Sequence, residues 1–409
     1  MKKWVERFFG GWLVMFLCLS SLFVEGEGFC KDEILMGYSA SLTGGYSHVG
    51  KMIKDGYTAW ADMVNKKGGI FVKDLGKKLK VRLIMYDDKS DPSTAAKLYE
   101  KLITDNKVDL VLSPWGSSIG FPVSGICQKY KMPIVYVWVS SDPIFKQGYD
   151  YAFCLIQPAS QHEWSPLDLL KISNLKEPPT KIIYISTKEL YGITTAKGGF
   201  ARAKELGLEP YYEEVEKGCK DFTPLITKMK SLGVDAISTG LYEAEFFLLF
   251  KQMQELGYFP KFIFASHGTD LPDFWEMFGQ VGEGACAGGY YHTKWKTFEN
   301  DEFVEGYKKI AGTFPTHYAA TAAGGQIMQQ AIEKAGTLDK EKIKRVLQGE
   351  EFKCLLYPRV KFVTEGGYTN LNRFAFTGVL QWQSGKLVTV YPPSLAEAQF
   401  VYPMPWKMR

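Results

Sequence analysis

Residues 34–65 read ILMGYSASLTGGYSHVGKMIKDGYTAWADMVN, and their order decides the fold class. An apolar run over 34–38 gives way to a loop of small and hydroxylated residues over 41–50. A stretch then follows in which Ile53, Tyr57, Trp60 and Val64 recur at helical spacing. Strand, loop and helix in that order form the repeating unit of a parallel sheet. The unit recurs along the chain. Residues 81–86 precede an amphipathic stretch over 93–106, residues 110–112 precede 121–131, and 134–139 form a further apolar run. A second series runs 182–185 then 192–206, 211–215 then 222–232, 236–238 then 243–256, and ends at 262–265. Two such series predict two α/β domains, each a parallel sheet covered by helices on both faces. Helical patterning returns over 301–312, 319–335 and 339–348, before strand-like pieces around 360–363, 373–382 and 387–391. These late helices are too many for a simple tail, so the chain is expected to cross between domains more than once.

Composition narrows the function. The 409 residues are 15% aromatic and 23% charged, which excludes wholesale disorder and provides ample core. A formal net charge of +4 gives no strong basic field, so no nucleic-acid partner is expected. Lys2, Lys3 and Arg7 precede an uncharged apolar run over 12–24, short of the ~20 residues a membrane-spanning helix needs. Residues 1–26 therefore read as a signal peptide, with a retained anchor as the alternative. Export leaves Cys30, Cys127, Cys154, Cys219, Cys286 and Cys354 at wide spacings without a C-x-x-C pair. Bridges and buried free thiols both fit that pattern.

Ligands of open parallel sheets bind in the loops beyond the carboxyl ends of the strands. Those loops here are SLTGGYSHVG (41–50), SPWGSSIG (113–120), VSSDP (139–143), TKELYG (187–192), GLYEAE (240–245) and SHGTD (266–270). Ser117 and Ser118 stand at a helix start, where hydroxyls and unpaired amides suit a carboxylate, and Ser141 can add a third donor. Plain helix capping is the competing explanation. Tyr191 and Tyr242 occupy equivalent loop positions of the second series and suit an apolar ligand.

Residues 116–120 also spell G-x-S-x-G, the nucleophile elbow of serine hydrolases, with Ser118 as nucleophile and Asp270 and His317 as nominal partners. A secreted hydrolase is thus the rival from a different class. The five histidines are scattered without metal-ligand spacing. No phosphate-binding or dinucleotide glycine motif occurs, so no metal or cofactor is expected and a two-lobe binder is favoured over an enzyme.

The mature chain resembles the periplasmic leucine/isoleucine/valine-binding proteins, the solute receptors of hydrophobic-amino-acid ABC importers. The resemblance is carried by ILMGYSASLTGGYSHVG, NKKGGI, YDDKSDPSTAA, SSIGFPVS, KMPIVYVWVSSDP, LYGITTAKG, KDFTPLITKMKSLGVDAI and FTGVLQW, in that order and spacing. It implies an α/β fold of two doubly wound parallel-sheet lobes joined by three crossovers, the type I periplasmic binding protein. Lobe one would comprise 31–155 plus 292–357, and lobe two 156–291 plus 358–409. The resemblance places ligand-carboxylate anchors at Ser117, Val139 (through its backbone) and Ser141. Tyr191 and Tyr242 would be aromatic covers, and Tyr46, His48 and Trp115 wall residues. His267 stands where the amino-acid binders carry an acid for the ligand ammonium, and Ser90 and Gly116 replace the family's small disulfide. The implied function is a monomeric, periplasmic, non-enzymatic receptor that closes by a hinge on a hydrophobic amino acid and delivers it to a membrane permease. Aromatic or other non-amino carboxylates, or amides, are the alternative ligands, and a ligand-sensing regulator a further use of the fold.

Overall fold

The computed structural model describes residues 31–406. The proposed signal peptide and Cys30 lie outside those residues. Lys31 and Asp32 precede the compact unit that begins at Glu33.

The first sheet begins with β1 (Glu33–Ala40), whose side chains are buried almost continuously because both faces are covered. Helix α1 (Ser47–Lys66) buries Ile53, Tyr57, Trp60 and Val64 on one face. A hairpin of β2 (Ile70–Val72) and β3 (Lys77–Asp87) follows, then α2 (Pro92–Thr104), whose N-cap Asp91 accepts from the Thr94 amide. Strand β4 (Leu110–Val111), α3 (Ser117–Lys129), β5 (Ile134–Tyr136), the short α4 (Asp142–Phe145) and β6 (Ala152–Cys154) complete the series. Strand β1 runs parallel to both β3 and β4 in one four-stranded sheet, and β5 runs parallel to β6 in a separate four-stranded sheet of the same lobe.

The seven-stranded sheet of the second lobe alternates in the same way: α5 (Trp164–Ile172), β7 (Lys181–Thr187), α6 (Leu190–Glu205), β8 (Glu209–Val215), α7 (Thr223–Leu232), β9 (Ala236–Gly240), α8 (Glu243–Glu255), β10 (Phe262–Ala265), α9 (Pro272–Phe278) and β11 (Cys286–Gly289). Gly233 ends α7 in the left-handed conformation that a side chain disfavours. The two faces of this sheet build two cores. Ile183, Ile185, Ile237 and Ile263 pack on one side, and Ile182, Tyr184, Ala236 and Phe262 on the other.

Helices α10 (Asn300–Ala311), α11 (Ala322–Ala335) and α12 (Lys340–Gly349) return to the first lobe, where α10 and α11 pack on α1. The 3₁₀ turn Tyr318–Thr321 before α11 also packs closely on α1. A Cβ on Gly56 would lie 2.2 Å from the Ala319 carbonyl oxygen, so only glycine admits this approach. Strands β12 (Phe362–Glu365) and β13 (Tyr368–Asn372) form a hairpin, and β13 lies parallel to β6 through Leu371 and Cys154. Strands β14 (Gly378–Gln383) and β15 (Lys386–Tyr391) then extend the seven-stranded sheet, with β14 antiparallel to β11.

The expected crossing at 357/358 is therefore corrected: the chain changes sheet between β13 and β14. Val360, Phe362 and Leu371 are buried in the first core, whereas Val379 and Trp382 belong to the second. Cys127, Cys154, Cys219, Cys286 and Cys354 are all free thiols, and only Cys219 is not buried. No described helix is long and apolar enough to cross a membrane.

Candidate functional site

The loops at the strand ends meet between the lobes. Gly116, at φ 87°, turns the chain into α3, whose first amides have no acceptor within the helix. Ser117 is fully buried there, and its Oγ accepts from the amides of Ser140 at 3.3 Å and Ser141 at 3.2 Å. With its lone pairs engaged, its hydrogen remains for a third group. Ser141 Oγ is buried and has no partner among the described residues. An incoming carboxylate suits both hydroxyls.

The opposite wall is aromatic. Tyr191 lies in the first turn of α6, Tyr242 caps α8, and His267 and Tyr290 follow β10 and β11. These residues, with Trp115, Ser117, Trp138 and Tyr318, line a cavity of about 20 Å³. That volume is of the order of one water, so a larger ligand needs the walls to part. No carboxylate lines it.

Tyr46 closes the entrance. Its ring meets Trp115 at 5.0 Å and Tyr242 at 5.6 Å, and its hydroxyl donates to Glu189 of the second lobe. Lys217 pairs with Glu189 at 2.9 Å and lies 3.6 Å above the Tyr46 ring. Outside this gate, His48, Lys217 and Glu245 help to line a second chamber of about 200 Å³.

The proposed site residues thus divide. Trp115, Ser117, Tyr191, Tyr242 and His267 come together at one cavity, with Tyr46 over it. His48 faces the outer chamber instead. Ser118 is only half-buried and does not line the inner cavity. Val139 and Ser141 are not among the residues lining the cavity, although Ser141 follows the lining residue Ser140; Val139 packs where a Cβ on Gly120 would come within 2.4 Å of its side chain. His162, Tyr290 and Tyr318 were absent from the sequence-based site. They occupy crossing segments and a 3₁₀ turn, away from the strand-to-helix loops where topology concentrates ligand contacts.

Three histidines surround the cavity. His162 Nε2 lies 2.9 Å from the Gln157 carbonyl and must donate to it, leaving Nδ1 to accept. Both Tyr191 and Tyr290 place their hydroxyls 3.0 Å from that Nδ1. Burial pushes His162 down to about 4, so it is neutral at physiological pH. Burial also holds His267 well below the usual imidazole range, helped by His317 and His162. Beneath them, burial raises Glu163 to about 7, although Ser238 and Ser266 donate to its carboxyl.

His317 does pair with Asp270, across the cleft through Nδ1. No hydrogen bond joins either residue to Ser118 among the described residues, and the ring of His317 is enclosed by Trp138, His267, Tyr290 and Tyr318. A hydrolase triad is not assembled. Nor is any group of three His, Cys, Asp or Glu arranged to hold a metal among the described residues.

Two α/β lobes with three connections and an anion-suited helix start facing an aromatic wall define a hinged solute-binding protein. Residues 33–379 match the periplasmic binding protein family, and the chain belongs to that family. Leu/Ile/Val-binding protein BraC3 of Rhizobium johnstonii is 26% identical over 363 residues, covering 87% of this chain and 93% of the relative. The leucine-, isoleucine-, valine-, threonine- and alanine-binding protein of Pseudomonas aeruginosa is 25% identical, covering 86% and 91%. Leucine-binding protein LivK of Thermotoga maritima superposes with a TM-score of 0.74 at 21% identity, covering 87% of this chain and 97% of that one, and so shares the fold.

Proposed function

We propose that the protein is the extracytoplasmic receptor of an ABC importer, binding a hydrophobic amino acid or a related small carboxylate between its lobes. One observation carries this reading: Ser117, at the start of α3, faces Tyr191 and Tyr242 across a single cavity. A carboxylate at the serine and an apolar side chain at the tyrosines satisfy both walls, and the full-length relatives that bind leucine, isoleucine and valine support it. The signal peptide over 1–26 would deliver a monomer to the periplasm, where the closed form is what a membrane permease recognises. Contacts made to both lobes stabilise closure, which is how ligand shifts the population.

Thermal unfolding with a panel of amino acids, aromatic acids and amides tests this. A ligand at 100 times its dissociation constant adds ~2.7 kcal/mol. Stabilisation by leucine, isoleucine or valine is expected; stabilisation by amides alone contradicts the reading. A serine-hydrolase probe is expected to leave Ser118 unlabelled, and labelling lost in Ser118→Ala would establish the rival.

A further inference from the structure

Glu243 begins α8 in the second lobe, and Tyr318 stands in the turn before α11 of the first. The Tyr318 hydroxyl donates to Glu243 Oε1, and the Tyr318 hydroxyl oxygen lies 3.4 Å from His267 Nδ1. A phenol has one hydrogen, and here it is committed to the carboxylate. Its oxygen can then only accept from His267. A neutral imidazole carries a single N–H, so that hydrogen resides on Nδ1, and Nε2 is left as a lone pair for the cavity that His267 lines.

We infer that Glu243, acting through Tyr318, sets the tautomer of His267, and that His267 Nε2 is the specificity-determining acceptor for a ligand amine. This rests on the receptor reading above and deepens it. It explains how a cavity without a lining carboxylate accommodates an amino group: the negative charge is held one hydrogen-bonded residue behind the wall. The rings of Trp115, Tyr191 and Tyr242 around His267 add faces that attract a cation. The relay spans the two lobes. Other titratable groups facing it are His317 and His162 beside His267, and Asp270 and His317 beside Glu243. Burial raises Glu243 above the usual carboxylate range, and the hydrogen bond from Tyr318 opposes that rise.

The test compares leucine with 4-methylpentanoate, its deaminated analogue, by titration calorimetry on the full chain. Wild type is expected to bind leucine about tenfold more tightly or better, the scale of one hydrogen bond to a charged group. In Glu243→Leu the Tyr318 hydrogen is released to His267 Nδ1, which moves the imidazole hydrogen to Nε2, and the leucine preference is expected to vanish. Glu243→Gln keeps an acceptor for Tyr318 and is expected to retain much of the preference. A preference equal in Glu243→Leu and wild type, or a wild type that favours 4-methylpentanoate, overturns the inference while leaving the receptor reading intact. A wild type that binds neither acid defeats the receptor reading for this ligand class. In that case, ¹⁵N NMR of the histidine-labelled full chain decides the relay by itself. A His267 signal protonated at Nδ1, and at Nε2 in Glu243→Leu, supports the inference; a tautomer unchanged between the two overturns it.

Discussion

Tyr46→Phe isolates the contact that closes the cleft. The substitution keeps the ring, so the edge contacts with Trp115 at 5.0 Å and Tyr242 at 5.6 Å persist. It removes only the hydroxyl that donates to Glu189 across the lobes. The carboxylate is not left unpaired, because Lys217 remains 2.9 Å away. The cost is therefore that of one hydrogen bond to a charged group with its acceptor still satisfied, about 1–1.5 kcal/mol. Because the bond joins the lobes, it stabilises the closed state alone, and its loss should appear in ligand affinity. That energy corresponds to a dissociation constant raised about five- to tenfold. Titration calorimetry with a ligand identified from the thermal panel measures it. A constant within about twofold of wild type would show that Tyr46 does not hold the closed form, and would refute the reasoning.

Three further outcomes are expected. Ser117→Ala removes the carboxylate donor and leaves the amides of Ser140 and Ser141 without their acceptor, so affinity for carboxylate ligands should fall at least about tenfold by calorimetry. Ser118→Ala should leave it nearly unchanged, and equal losses in the two variants would contradict the assignment. Gly56→Ala drives a Cβ against the Ala319 carbonyl oxygen and displaces the turn that carries Tyr318; urea unfolding should show a loss of about 1–3 kcal/mol, and an unchanged midpoint would count against this packing. Glu163 is raised from 4.5 to about 7 in the folded protein, so the native state keeps a proton that the unfolded chain releases, and its contribution to stability is lost as pH rises through that window. His162, lowered from 6.5 to about 4, has the opposite sign, its contribution being lost as pH falls through that range. The stability of Glu163→Gln relative to wild type should therefore rise with pH from about 4.5 to about 7, and a difference that stays flat would contradict the burial argument.

The architecture was legible where period and loop chemistry agree. The apolar positions Ile53, Tyr57, Trp60 and Val64 fix α1 by spacing alone, and all four are buried. The third crossing lies later than the expected 357/358 because residues 358–372 give no local signal of which sheet they join. That choice rests on a single parallel pairing of Leu371 with Cys154 and on burial against the first core, both long-range in sequence. The cleft was legible in part for a similar reason. Ser117, Tyr191, Tyr242 and His267 lie at strand-to-helix loops, where topology alone concentrates ligand contacts. His162, Tyr290 and Tyr318 reach the cavity from crossing segments and a 3₁₀ turn, which no periodicity marks. Asp270 and His317, the nominal hydrolase partners, do meet. Their contact joins the lobes and lies apart from Ser118.

Titration of the wild-type chain with leucine and with leucinamide tests most directly whether this cleft captures a carboxylate. Both carry the same side chain and amine, and only leucine presents the carboxylate that Ser117, Ser141 and the start of α3 are suited to hold. The account predicts one molecule of leucine bound per chain and no measurable binding of leucinamide. Equal affinity for the two would contradict it.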